Sequence, residues 1–226
     1  MKEVYKDVFE WLQIIVFALI IALFVNNYIL INSYIPTPSM EPTIPAGIRT
    51  FGSRLTYKFF KPKRGDIVVF DYGYDCKKCH EMYQKNDDAV CPICHTETKG
   101  SKKVYFTKRV IGLPGEHIEI KADYTAESEL FKTTNFSDPN IKATCGHVYI
   151  DGERYDENYL NEPMIVNSFF KSVDVIVPEN CYYLLGDNRN NSEDSRFWRN
   201  PFMSMKYIIG KPYLIYWPLN KTRLIK

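Results

Sequence analysis

The sequence predicts a mainly β protein, built on antiparallel sheet, behind one N-terminal transmembrane helix. Three observations carry that prediction. No charged residue occurs from Trp11 to Met40, and apart from Gln13 the stretch Trp11 to Val25 is apolar. After residue 48 the runs are rich in Thr, Val and Ile, and the 17 Tyr and 14 Phe add to a bias for strands over helices. Turn signals such as Asp138-Pro139-Asn140, Cys145-Gly146 and Asp151-Gly152 punctuate those runs.

The helix is assigned to residues 11–31, preceded by a short tail, 1–10. At about 1.5 Å per residue it spans roughly 30 Å, the thickness of a bilayer's hydrocarbon layer. A cleavable leader would have a shorter apolar core of about 7 to 15 residues and end in small residues. Ala-x-Ala is absent here, which favours a retained anchor. Lys2 and Lys6 precede the helix and no Lys or Arg follows before Arg49. The positive-inside rule therefore places the N-terminus in the cytoplasm and residues 32–226 outside.

The remaining chain is long enough, with 45% hydrophobic residues in the whole sequence, to bury a substantial core. Its 29 basic and 27 acidic residues nearly balance, so composition gives no reason to expect a nucleic-acid partner. The region 117–181 reads as a strand-rich section, with a hairpin at Val148 to Glu153. The run Tyr207 to Trp217, containing Gly210 and Pro212, reads as a closing pair of strands.

Chemistry concentrates in three places. Pro36, Pro38 and Pro42 stiffen an extended path around Ser39 and predict a loop that cannot become helix. Alone, such a serine is an ordinary loop residue. In Val104 to Ile111, period-two alternation puts Val104, Phe106, Lys108 and Val110 on one face, so Lys108 lies on an apolar face. Burial there favours the neutral amine, and a neutral amine can serve as a base. The bland alternative is a lysine snorkelling at a sheet edge. Third, the polar loop Gly186 to Arg196 follows the apolar run Cys181 to Leu185, and it carries the Arg, Asp, Ser and Asn needed to orient a buried amine.

Four motifs occur in order: Ser39-Met40-Glu41-Pro42-Thr43, Gly65-Asp66-Ile67-Val68, Lys108 to Gly115, and Gly186 to Arg196. With the membrane helix before them, they resemble the type I signal peptidase family over most of the chain. The resemblance implies the antiparallel β fold shared by signal peptidases and repressor-type serine-lysine proteases. It implies Ser39 as nucleophile and Lys108 as general base, with Ser192 orienting the amine and Asp194 and Arg196 as a supporting pair. The Ser39 N–H and Thr37 hydroxyl would hold the oxyanion, without any catalytic cofactor. Substrates would be signal-peptide-bearing precursors met at the lipid surface, with the translocation machinery as a further partner. Ile35, Met40, Phe106 and Ile111 are the expected cleft walls, although apolar strand residues are ordinarily core. A His-based triad fits less well, because His80 and His95 follow cysteine pairs and His117 and His147 stand in no triad context.

Between the motifs, residues 73–101 form an insertion with two C-x-x-C pairs, Cys76/Cys79 and Cys91/Cys94. Four thiolates suit a structural zinc ion, which is the leading reading. Disulfides fit an outward location, and each pair also spells the C-x-x-C-H haem pattern, against which Lys77, Lys78, Lys85, Asp87 and Asp88 make the insertion too polar to wall off a macrocycle. Cys145 and Cys181 are left open between pairing and free thiols. Two competing functions are a tethered zinc-ribbon binding module without activity, opposed by the intact Ser39 and Lys108, and a self-cleaving repressor, which would want a helix-turn-helix where this chain has a membrane helix.

Overall fold

The computed structural model describes residues 2–85, 89–131, 141–166 and 173–225. The turn expected at Asp138-Pro139-Asn140, like Asp87 and Asp88, lies outside the described residues. Helix α1 runs Lys2–Phe24 and continues as a wider π-type turn, Val25–Ile29. The stretch Phe9–Ile29 is long and apolar enough to cross a membrane and is not covered by the rest of the protein. Trp11, Phe17 and Leu19 are all exposed, a surface that water would penalise and lipid would not.

The helix was expected to reach Ile31, but Leu30 and Ile31 open strand β1, Leu30–Ile35. Asn26 and Asn27 favour helix weakly, and Ile31 gains burial by pairing with Gly52. Arg54 fastens the junction, its N–H donating to Ile29 O (2.8 Å) and its Nε to Leu30 O (2.9 Å).

The strands that follow are β2 (Ile48–Ser53), β3 (Ile67–Asp75), β4 (Met82–Gln84), β5 (Lys102–Gly112), β6 (His117–Glu127) and β7 (Lys142–Ile150). After them come β8 (Glu153–Arg154), β9 (Met164–Ile165), β10 (Val173–Ile176), β11 (Cys181–Leu185), β12 (Phe202–Ser204), β13 (Ile208–Trp217) and β14 (Arg223–Leu224). One antiparallel sheet has the order β1-β2-β13-β3-β5-β11-β12, with β4 on β3 and β14 on β13. A second has the order β10-β6-β7-β8, with β9 on β7. The chain passes from the first to the second through Gly112-Leu113-Pro114-Gly115, where Gly115 takes the left-handed φ of 87° that the turn requires. The expected hairpin is present, β7 returning through Asp151-Gly152 into β8.

Strand β5 is covered on both sides. Val110 packs with Val68, Phe70, Tyr182 and Leu184, while Ile111 packs with Ile118, Val148 and Tyr183 against the second sheet. A third cluster, Ile35, Met40, Ile44, Ile48, Ile67 and Ile215, lies under the turn that bears Ser39. At the C-terminus the expected pair of strands is instead one long strand. β13 pairs with β3 through Ile208 and Gly210 and with β2 from Lys211 onward, so Gly210 and Pro212 mark a change of partner rather than a turn. A Cβ on Gly210 would lie 2.1 Å from Ser53 O, which explains the glycine.

Candidate active site

Lys108 stands opposite Val68 near the end of the pairing of β5 with β3, which runs on to Arg109, and is 3% exposed. Burial disfavours its ammonium form and lowers the amine's pKa from the ordinary 10.5 to about 8, against the opposing pull of the Asp194 charge. The Nζ donates to Ser192 Oγ at 3.0 Å and lies 5.6 Å from the centre of the Phe106 ring. An aromatic wall and one hydroxyl are thus among its near neighbours, and burial gives this amine a far larger neutral fraction near neutral pH than an ordinary lysine has.

Ser39 is not on an irregular loop as its prolines suggested. It is the middle residue of a single 3-10 turn, Pro38–Met40, closed by Glu41 N–H donating to Pro38 O at 3.0 Å. The proline occupies the first helical position, where its fixed φ suits a helix and its missing N–H costs nothing. Met40, fully buried in the cluster with Ile44 and Ile48, anchors the turn from below. The Ser39 Oγ lies 3.4 Å from Thr37 Oγ1.

The polar loop after β11 grips this turn. Asn188 donates from its backbone N–H to Ser39 O (3.1 Å) and from Nδ2 to Pro38 O (3.3 Å). Gly186 lies between the two halves of the site: a Cβ there would stand 2.1 Å from Ser192 Oγ and 2.5 Å from Ser39 O. The loop is held by Asp194, wholly buried, which accepts from Gly186 N–H (3.0 Å) and from Arg196 Nε (2.8 Å) and Nη2 (2.9 Å). Burial works to raise the Asp194 carboxyl, but the Arg196 charge and hydrogen bonds outweigh it and hold it below the usual carboxylate range.

Ser39 and Lys108 line one cleft of about 570 Å³ together with Ile35, Thr37, Met40 and Phe106. Ile111, expected as a fourth apolar wall, is not there. It is fully buried between the two sheets, because strand alternation turns it away from Lys108 and the second sheet covers that face. His117 and His147 do not line the cleft either; they pair with Asp174 and Asp123.

A profile of the family described as signal peptidase, peptidase S26, matches residues 8–217. The chain belongs to that family. A probable signal peptidase I-2 of Synechocystis sp. is 29% identical over 95% of this chain and 77% of its own length. A signal peptidase I of Leptolyngbya laminosa is 30% identical over 94% of this chain and 81% of its own. Among solved structures, a signal peptidase I from Enterococcus faecalis V583 aligns with 67% of this chain and 97% of that one, at 23% identity and a TM-score of 0.37.

Around this signal peptidase site stand charged pairs that the linear sequence did not single out. Arg109 clamps Asp187 with two bonds, Nε to Oδ1 (2.7 Å) and Nη2 to Oδ2 (2.6 Å), and also donates to Gly65 O (2.7 Å). Arg189 donates through Nη1 to Glu157 Oε2 (2.6 Å), through Nη2 to Glu157 Oε1, and through Nε to Gly186 O (3.0 Å). Their only trace in the sequence is the density of charge in the Gly186 to Arg196 loop.

In the insertion, the thiols of Cys76, Cys79, Cys91 and Cys94 all lie within 4.8 Å of one another and can hold a metal ion. Cys76 and Cys94 are 3.5 Å apart and Cys79 and Cys91 3.7 Å, near the edge of roughly 3.8 Å that a tetrahedron with bonds of about 2.3 Å would have. Each pair forms a tight knuckle closed by the residue after it. His80 N–H donates to Cys76 O and His95 N–H to Cys91 O, both at 2.9 Å, and both histidines take left-handed φ values, 58° and 55°. The C-x-x-C-H spelling therefore reports a turn requirement, with all four thiols converging on one point. Cys145 and Cys181 are free thiols.

Proposed function

We propose that this chain is a type I signal peptidase, a serine endopeptidase that removes signal peptides from exported precursors at the outer membrane–water surface. The observation that carries the reading is a buried lysine, its pKa lowered to about 8 and hydrogen-bonded to Ser192, in the same cleft as Ser39. Ser39 lies ten residues beyond Ile29, so even a fully extended chain keeps it within roughly 33 Å of the end of the membrane helix.

In this reading neutral Lys108 takes the Ser39 hydroxyl proton as the oxygen attacks the scissile carbonyl. The resulting oxyanion accepts hydrogen bonds from the Ser39 N–H and the Thr37 hydroxyl. The Ser39 N–H sits in the first turn of its helix, where N–H groups have no intrahelical acceptor, and Thr37 Oγ1 is already beside Ser39 Oγ. Collapse breaks the peptide bond, and the Lys108 ammonium gives its proton to the leaving amine. Lys108, neutral again, then removes a proton from water as its oxygen attacks the Ser39 ester; the acyl–Oγ bond breaks, and the Lys108 ammonium returns that proton to Ser39 Oγ, which restores the enzyme. Ser192 orients the amine, and Asp194 with Arg196 fixes the loop that carries Ser192.

The substrate enters as an extended chain. β11 pairs with β5 at Arg109, Val110 and Gly112, whereas residues 102–108 of β5 line the cleft, leaving a strand edge that an extended peptide can join. Ile35, Met40 and Phe106 supply apolar walls for small side chains near the cut.

The N-terminal tail is assigned to the cytoplasm and residues 32–226 to the outer face, with 73–101 as an insertion and 117–181 as the second β region. Lipid and the translocation machinery are the partners that this placement implies. Zinc is the metal we assign to the four thiols, in a structural role; metal analysis of the intact protein, expected to find one zinc per chain, tests that. The protease reading is tested by incubating purified protein with a signal-peptide-bearing precursor. Ser39→Ala is expected to leave the precursor whole and the domain folded, and continued processing by that variant would refute the assignment.

A further inference from the structure

The cysteine knuckle lies at the end of the cleft. Asp75, Met82 and Lys102 line the same cavity as Ser39 and Lys108; Asp75 ends β3 and Lys102 begins β5, the strands that flank the knuckle, and Met82 begins β4 within the insertion. In register, Asp75 stands opposite Met82 on one side and Lys102 on the other. From Lys102 to Lys108 is six residues of strand, so this end is about 20 Å from the amine.

Strand alternation divides β4 between the metal site and the cleft. Tyr83 points inward, 4% exposed, packing with Cys76 and Cys91 and hydrogen-bonding through its hydroxyl to Thr98 Oγ1 at 3.0 Å. Met82, its neighbour, turns the other way and is 48% exposed on the cleft side. Among the described residues of the knuckle, the buried apolar packing is the small cluster of Cys76, Tyr83 and Cys91 with Tyr74, Cys79 and Cys94 against it, little with which to order so short a segment. A metal on the four thiols would supply a further tie, and through Tyr83 it would fix where Met82 stands.

We infer that the metal-held knuckle is a distal substrate subsite: it sets Met82 and the adjoining ends of β3 and β5 as the wall that receives the precursor about six residues from the bond being cut. This rests on the peptidase reading. The occupant is the extended precursor chain itself, because the wall is continuous with the cleft and with the free edge of β5. The thiol set would then govern affinity for long substrates and leave the chemistry at Ser39 untouched.

The test uses the full chain in detergent, zinc-loaded or stripped with a chelator, and two peptides with the same scissile bond. One covers only the residues flanking the cut; the other extends beyond it by more than about six residues on both sides, the reach of β5. Stripping is expected to raise KM for the extended peptide about tenfold, to change kcat/KM for the short one less than about twofold, and to be reversed by zinc. In zinc-loaded protein carrying Ser39→Ala so that the peptide stays whole, adding Met82→Asp is expected to weaken equilibrium binding of the extended peptide about fivefold, with zinc content unchanged. Parallel losses on both peptides, no loss on either, or unaltered binding by Met82→Asp would each overturn the subsite. A loaded enzyme that cuts neither peptide would remove the peptidase reading as well, an outcome distinct from lost preference for length.

Discussion

Lys108 Nζ reaches Ser192 Oγ at 3.0 Å across 84 positions of sequence. That contact joins the last strand residue before β11 pairs with β5 to the loop after β11, and it is the amine's side-chain hydrogen bond in a buried setting. If Ser192 orients the amine rather than reacting, Ser192→Ala should lower kcat about a hundredfold with little change in KM. Steady-state kinetics on a precursor peptide checks this, and a rise in KM alone would assign Ser192 to substrate binding.

Gly186 is where the two halves of the site touch. A methyl group there would collide with Ser192 Oγ at 2.1 Å and Ser39 O at 2.5 Å, and both must move to accept it. Gly186→Ala should cost more in activity than in stability, about a hundredfold or more in kcat/KM, because reacting groups displaced by about an ångström lose their alignment. Thermal unfolding beside the rate measurement separates the two.

The Asp194–Arg196 pair is buried, with side chains 0% and 4% exposed. Removing the carboxylate charge leaves the buried Arg196 guanidinium without its counter-charge, so Asp194→Asn should destabilise the domain by about 3 to 5 kcal/mol near pH 7. The folded carboxyl is held below its ordinary 3.8, so its contribution is present above that value and lost as pH falls through it. The gap between native and variant should therefore narrow below about pH 4, a trend that denaturant titrations at several pH values would reveal.

Lys108 gives a slope of the same sign at higher pH, because its folded pKa too is lowered. Below about pH 8 both folded and unfolded chains hold its proton, and the folded one bears the cost of a buried cation. Between about 8 and 10.5 the folded amine is neutral while the unfolded one is still charged, so stability rises with pH by about 3 kcal/mol from this group. A Lys108→Met protein lacks that slope. Comparing the two from pH 7 to 10 by chemical denaturation should show the native chain catching up as pH rises.

Much of the site could be read from the sequence because its logic is local. The face that Lys108 occupies follows from strand alternation, and the membrane helix from uncharged length. Ile111 was misjudged although alternation already turned it away from Lys108; what alternation could not supply is that the second sheet covers that face and buries it. The pairs Arg109–Asp187 and Arg189–Glu157 span 78 and 32 positions, and no periodicity links their members. The Ser39 turn was taken for loop because proline normally excludes helix, yet at the first position of a turn it is at home. Likewise the end of α1 depended on Ile31 finding Gly52, a partner no local pattern names.

The most direct measurement is the titration of the Lys108 side-chain nitrogen itself, followed by NMR in the folded full-length protein with ¹⁵N-labelled lysine and assigned through Lys108→Met. The account expects a midpoint near 8, set by burial. A midpoint at the ordinary 10.5 would mean a solvated, charged amine and would contradict its role as the base for Ser39.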